Sequence, residues 1–257
     1  MSMSETPIRF PDSVQVTEQD IDVSFLNEKQ RRFYIDLFAE VISLYEGAQK
    51  PRFVLGIAGP TGSGKSTMVA LFDAFAKQSE FSFSLRTLGI DAFHFPEAYL
   101  KSHATADGSL KEWKGRFDSY DVPKLVEVLD KFRSGDAVEL PTYSRRTHEP
   151  VEHAVSVKEK NALLIVEGLW LLYQKSGWET IGPRLDHSIF VEADEEAVRA
   201  AVVERHMRGG RTREDAEQYY DRVDKRDFEL VNQTISRANK IIPAYYVISG
   251  KTLASRL

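Results

Sequence analysis

The stretch GIAGPTGSGKST, residues 56–67, decides how the rest of the chain is read. From Gly59 to Ser66 it satisfies G-x-x-x-x-G-K-[ST] at every position. Glycines at that spacing let consecutive backbone N–H groups turn inward as an anion nest, which side chains would obstruct. The apolar run from Phe53 to Ala58 reads as a buried strand, and Ser66 to Lys77 carries Val69, Leu71, Phe72 and Phe75 at helical spacing. The helix points its positive end at bound phosphate. Gly59, Pro60, Thr61, Gly62, Ser63, Gly64, Lys65, Ser66 and Thr67 are therefore the expected nucleotide contacts. Lys65 supplies a mobile positive charge for the β and γ phosphates, and the Ser66 hydroxyl can ligate Mg²⁺. A glycine-rich turn of no consequence is the rival reading, and the strand and helix flanks weigh against it.

Working outward, FSFSLRTLGI (81–90) reads as a second strand, 122–134 as a helix, ALLIV (162–166) as a third strand and SIFVEA (188–193) as a fourth. Residues 195–208 and 212–230 read as helices, and AYYVIS (244–249) as a fifth strand. Alternating strands and helices predict an α/β fold, a parallel sheet with helices on both faces. Before it, residues 1–24 read as a loosely held polar arm. Asn27 and Gln30 have the spacing of a capping box. Tyr34, Leu37, Phe38, Val41, Leu44 and Tyr45 then make an apolar stripe ending at Gly47. The expected division is an arm and packed helix over 1–50 and one phosphate-binding domain over 51–257.

The 257 residues are 42% hydrophobic and 28% charged, with net charge −5. These are globular values, and the negative balance argues against nucleic acid as a partner. With no cysteine, disulfides and thiolate-bound zinc are excluded. The N-terminus lacks the features of a secretory signal and no apolar run is long enough to span a bilayer. A soluble cytoplasmic protein without membrane contact is expected; whether the N-terminal helix pairs two copies into a homodimer stays open.

The fate of the phosphate turns on the remaining carboxylates. A guanine-reading N-K-x-D is absent, the nearest match being Asn239-Lys240-Ile241-Ile242. The third strand ends at Glu167, where a carboxylate can face the metal directly or through water. The second ends in IDAFHF, placing Asp91 at the carboxyl edge of the sheet, where ligands of open α/β sheets bind. A carboxylate there can take a proton from an attacking hydroxyl; it can equally cap a turn, and position alone leaves both open.

At this point the chain resembles the P-loop kinases that include uridine kinase, phosphoribulokinase and bacterial pantothenate kinase. The resemblance spans roughly residues 52–245 and rests on GPTGSGKST, IDAFHF, KGRFDSYDVPKL, PTYSRRTHEPV, LLIVEGLWLL and ERHMRGGR, in that order. It is nearest to a bacterial branch of sugar- or nucleoside-kinase-like proteins. It implies the P-loop NTPase fold, ATP and Mg²⁺ as cofactors, Asp91 as general base and an arginine-rich lid over about 205–213. Arg205 and Arg208 share a helix face, Gly209 and Gly210 permit a hinge, and Arg208 and Arg211 are the expected clamps on the transferring group. Arg213 reads as solvated.

The segment 97–121 is too polar for core and, with Trp113, Lys114, Arg116, Phe117 and Tyr120, reads as an acceptor loop. Tyr143, Arg145 and His148 add donors for a hydroxylated acceptor. His94 reads either as an acceptor contact or as a structural histidine. Trp170 and Trp178 read as core, Asn232 and Asn239 as helix caps. The expected activity is ATP- and Mg²⁺-dependent phosphorylation of an alcohol on a small sugar-, nucleoside- or pantothenate-like metabolite. The alternative is a nucleotide-binding regulator that transfers nothing.

Overall fold

The computed structural model of the chain describes residues 8–106, 108–248 and 251–254. Its centre is a five-stranded parallel sheet built from β3 (Arg52–Ala58), β4 (Ser84–Gly89), β9 (Ala162–Glu167), β10 (His187–Glu192) and β11 (Lys240–Pro243). The spatial order is β11-β10-β3-β9-β4, so β9 lies between the first two strands in sequence. All seven residues of β3 are buried, as a strand covered on both faces requires. Its side chains alternate: Phe53, Leu55 and Ile57 enter one hydrophobic cluster, Val54 and Ala58 the other.

The first cluster is roofed by α1 (Glu28–Gly47) and α2 (Lys65–Ala76), where the Phe38 ring meets Phe72 and Phe75 at 5.5 and 5.6 Å. The capping box opens α1: Gln30 N–H donates to Asn27 Oδ1 at 3.0 Å, and Asn27 N–H to Gln30 Oε1 at 2.9 Å. The second cluster lies under α4 (Val122–Ser134), which spans the residues the sequence predicts, from the Asp121 cap to a left-handed Gly135. Trp170 and Trp178 are wholly buried in this cluster, as expected of core.

Several elements depart from expectation. The fifth strand of the sheet is β11, not residues 244–249; Tyr245–Ile248 (β12) instead pairs antiparallel with Lys251–Ala254 (β13), and Ser249 lies outside the described residues. The described part of the arm is not loosely held. Ser13–Val16 (β1) and Gln19–Asp22 (β2) form a hairpin whose Val14, with Val23 just after it, is buried in the first cluster. Four-residue strands with so few apolar positions give little periodicity to read. The acceptor segment also contributes to the core: α3 (Glu97–Ser102) and the short pair Ala104–Thr105 (β5) and Gly108–Ser109 (β6) bury Leu100 and Leu110. Residues 138–157 form a second hairpin, β7 (Val138–Ser144) and β8 (Glu149–Val157), outside the main sheet. The helix expected over 212–230 is α6 (Arg213–Tyr219), a π-helical turn over Tyr220–Asp224 and α7 (Lys225–Asn232). The helix Glu195–Arg208 (α5) has the predicted bounds. Asn239 is no helix cap, since its Oδ1 accepts from Ser188 N–H and Oγ–H and ties β10 to the start of β11.

Candidate active site

The site lies at the carboxyl ends of β3, β4 and β9. Gly59 leaves β3 with φ +144°, and a Cβ there would meet the Val191 carbonyl oxygen at 2.6 Å, so the loop can hug β10 only as glycine. Gly64 caps α2 in the left-handed region at φ +88°, which turns the loop into the helix. Lys65 folds back over the loop, its Nζ donating to the Pro60 carbonyl at 2.7 Å. Burial pulls its ammonium down to about 8, against the opposing charges of Glu167 and Asp91. Ser66 Oγ–H donates to Glu167 Oε1 at 2.9 Å. Burial and the nearby Asp91 charge raise the Glu167 carboxyl, and Lys65 and the Ser66 bond oppose that rise.

The parallel register explains Glu167. It pairs with Ile57 on one side and Gly89 on the other, and a Cβ at Gly89 would lie 3.3 Å from Glu167 Oε1, so the glycine leaves room for the carboxylate. Directly after Gly89, a 3₁₀ turn over Ile90–Phe93 carries Asp91 to the cleft, where its side chain keeps 32% exposure. Burial alone would raise this carboxyl, yet Arg145, His94, Arg205 and Lys65 together hold it below the usual range. Arg145 donates to Asp91 Oδ2 at 2.7 Å, while His94 Nε2 stands 3.7 Å from Oδ1. Asp91 thus lies within reach of the Lys65 charge in the phosphate loop, with one oxygen paired and the other without so close a partner.

His94 has the structural character that one of its two expected readings gave it. Its Nδ1 lies 3.2 Å from the Ser119 carbonyl, its ring stacks on Tyr120 at 3.9 Å, and it is 7% exposed, all structural traits. Burial lowers it to about 4, so it is neutral at pH 7. Ser119 Oγ–H donates to the Arg116 carbonyl, which leaves the imidazole Nδ1–H to serve the Ser119 carbonyl. Nε2 is then an acceptor turned toward the cleft beside Asp91. Tyr143 completes this aromatic wall: Lys114 and Arg145 both sit 5.3 Å from its ring centroid.

The remaining predicted residues divide. Lys114 Nζ donates to the His148 carbonyl at 2.7 Å, so His148 contributes its backbone while its ring is exposed. Arg116 is buried with both ends of its fork on Asp118 at 2.7 Å, which makes it a clamp within its own loop. Tyr120 is buried beneath His94 and meets Trp178 edge-on at 5.5 Å. The loop is fixed from below by indoles: Trp170 Nε1–H donates to the Gly115 carbonyl and Trp178 Nε1–H to the Phe117 carbonyl, each at 2.8 Å. At the end of α5, Arg208 is exposed, and Arg211, in the link to α6, packs over Tyr219 at 4.2 Å. Arg205, also exposed, is the α5 arginine whose charge acts on both Lys65 and Asp91. Arg213 meets Glu217 at 3.7 Å on an exposed surface.

One residue near this wall carried no signal in the sequence. Asp227, on the first turn of α7, is 7% exposed, and burial pushes its carboxyl up to about 8, the nearby Asp224 charge adding to that rise and Arg116 opposing it. Sequence spacing alone marks it only as one charge in a polar helix.

Among the described residues no three His, Asp or Glu side chains cluster as a closed metal cage. The Ser66 hydroxyl and the Glu167 carboxylate are nevertheless hard oxygen donors at the mouth of an anion nest, which suits a Mg²⁺ ion held chiefly by phosphate oxygens and water. No helix among the described residues is long and apolar enough to cross a membrane.

Residues 54–248 match the family described as phosphoribulokinase / uridine kinase. The uncharacterized protein YggC of Escherichia coli is 32% identical over 86% of this chain and 90% of its own length. A pantothenate kinase from Enterococcus faecalis is 29% identical over 63% of this chain, and there the chain spans only 52% of its relative. Among solved structures, a proposed fructose transport system kinase from a Silicibacter species superimposes with TM-score 0.71 at 22% identity, over 82% of this chain and 98% of that one. The D-glycerate 3-kinase of Cryptococcus neoformans superimposes with TM-score 0.63 at 17% identity, over 86% and 99%. These two likenesses establish the P-loop kinase fold.

Proposed function

Because the chain belongs to the phosphoribulokinase/uridine kinase family, whose P-loop kinases act on small metabolites, we propose that it transfers the γ-phosphoryl group of ATP to a hydroxyl of a small polar metabolite, in the sugar, nucleoside or pantothenate-like class. The observation that carries this reading is Asp91: a carboxylate paired with Arg145 at 2.7 Å and within reach of the Lys65 charge, with no side-chain cap bond at its turn.

In this reading the loop amides and Lys65 bind the phosphates, and Ser66 and Glu167 hold Mg²⁺, which shields charge between phosphate oxygens. The acceptor hydroxyl donates to the open Oδ1 of Asp91, and His94 Nε2, an acceptor at 3.7 Å from that oxygen, takes the proton of a neighbouring hydroxyl on the same acceptor. Asp91 receives the hydroxyl proton as the acceptor oxygen bonds to the γ-phosphorus and the bond from that phosphorus to the β–γ bridging oxygen breaks, releasing ADP. Its low basicity fits a loose transition state, in which positioning matters more than deep deprotonation. Arg205, with Arg208 and Arg211 brought in as a lid closes, balances charge on the moving group and excludes water, favouring transfer over hydrolysis. Lys114, Arg145 and Tyr143 form the polar wall for the acceptor.

The test is ADP release with ATP and Mg²⁺ against nucleosides, pentoses, hexoses, glycerate and pantothenate. At least one acceptor is expected to raise release well above the water background. A flat panel alongside measurable ATP binding would instead favour a nucleotide-gated regulator.

A further inference from the structure

The family match begins at residue 54, so the N-terminal hairpin lies outside it, yet this hairpin reaches the acceptor side of the cleft. Its two-residue tip is Thr17-Glu18, between β1 and β2. Both oxygens of Glu18 are engaged by the tip of the second hairpin: Oε1 accepts from Ser144 Oγ–H and Oε2 from Arg146 N–H, each at 2.8 Å. These two donors flank Arg145, the residue that ion-pairs Asp91. Ser144 is buried, and its Oγ also accepts from Thr147 N–H at 3.3 Å, so the tip of the second hairpin is organised around the atom that Glu18 holds. Thr17 has φ +55°, a left-handed conformation that a β-branched residue adopts only under constraint from its surroundings. The base of the first hairpin supplies that constraint, since Val14 and Val23 are packed into the core cluster that also contains α2. The hairpin therefore ties the layer that carries the phosphate loop to the turn that carries Arg145.

We propose that Glu18 is a positioning residue for phosphoryl transfer: by gripping Ser144 and Arg146 it sets where Arg145 stands against Asp91 and the acceptor. The role rests on the kinase reading, but its geometric part does not. With Glu18 removed, the second hairpin keeps its strand pairing and loses the tie at its tip, so Arg145 leaves Asp91 more often. Asp91 faces Arg145, His94, Arg205, Lys65 and Glu167, and Arg145 is the strongest of its charged neighbours. Weakening that one contact therefore changes the titration of Asp91 while leaving the phosphate loop intact.

The experiment uses the full chain with Glu18→Ala, Glu18→Gln and, as a control on the exposed face of the second hairpin that Glu18 grips, Glu139→Ala. Carboxyl-carbon NMR follows the titration of Asp91, and steady-state kinetics follow the acceptor found in the panel. In Glu18→Ala the Asp91 titration is expected to move to higher pH and the acceptor KM to rise about tenfold, with the ATP KM changed less than about twofold. Glu18→Gln, which can accept one of the two bonds but sets an amide donor against the other, is expected to fall between. Glu139→Ala is expected to match the parent. An unmoved Asp91 titration in Glu18→Ala overturns the proposal even where the protein is a working kinase. A moved titration with no acceptor in the panel keeps the geometric tie and instead counts against the kinase reading. Equal losses toward ATP and acceptor would mark Glu18 as merely structural and also overturn it.

Discussion

The two halves of the cleft are built in opposite ways. In the proposed reading, the phosphate half comes from one continuous run, Gly59 to Thr67, whose backbone would do the binding and whose charged group, Lys65, sits in the same run. The acceptor half would be assembled from the turn after β4, the loop around Lys114, the tip between β7 and β8 and the hairpin carrying Glu18. A grip made of main-chain amides tolerates only the glycines that shape it. A wall made of side chains from separate segments can change its ligand by changing any one of them.

The difference predicts distinct failures. Lys65→Met should remove a buried charge from the phosphate half and lower transfer with every acceptor by about 10³-fold or more, measured as kcat/KM for ATP. A loss that depended on the acceptor would mean that the halves are not separate. Next in size, Arg205→Ala should cut kcat by about 10²-fold with ATP affinity nearly kept, and Arg208→Ala and Arg211→Ala should cost less, since only Arg205 reaches both Lys65 and Asp91 in this conformation. Equal losses at all three would show that closure brings the whole lid to the phosphates.

Titration separates the halves further. The free-enzyme ammonium of Lys65 lies at about 8, so kcat/KM for ATP should fall as pH rises through that value. Asp91, held low by its cationic neighbours, should place no limb between pH 5 and 8. The smallest effect belongs to Asp227. Its folded carboxyl lies at about 8 against an ordinary 3.8, so the folded chain holds the extra proton across that window and stability falls as pH rises through it. Asp227→Asn should flatten this slope and raise the melting temperature at pH 8.5 by roughly 2–4 °C. An unchanged slope would assign it to another group.

The same contrast explains what could be read from the sequence. The loop, β3, α2, α4, α5 and the Asn27–Gln30 cap follow local rules, and a few consecutive residues state each of them. Asp91 and Glu167 are legible because Glu167 ends a strand and Asp91 follows another by two residues, which fixes both at the carboxyl edge of the sheet. The role of His148 through its carbonyl arises from a contact 34 residues away that no spacing encodes, and the turn of Arg116 onto Asp118, two residues on, follows from the burial of that loop. The fifth strand was misplaced because AYYVIS is more apolar than KIIP, yet only KIIP pairs in register with β10. Glu18 was invisible for the same reason: its partners lie more than 120 residues away.

Asp91→Asn provides the most direct test of transfer through this cleft. It keeps the shape of the side chain and removes the proton acceptor, and the measurement pairs ATP binding by calorimetry with acceptor-dependent ADP release. Transfer should fall by about 10²–10⁴-fold while the Kd for ATP-Mg²⁺ stays within about threefold of the parent. Retained transfer, or a parallel collapse of ATP binding, would contradict a general base at Asp91 and leave it a structural partner of Arg145.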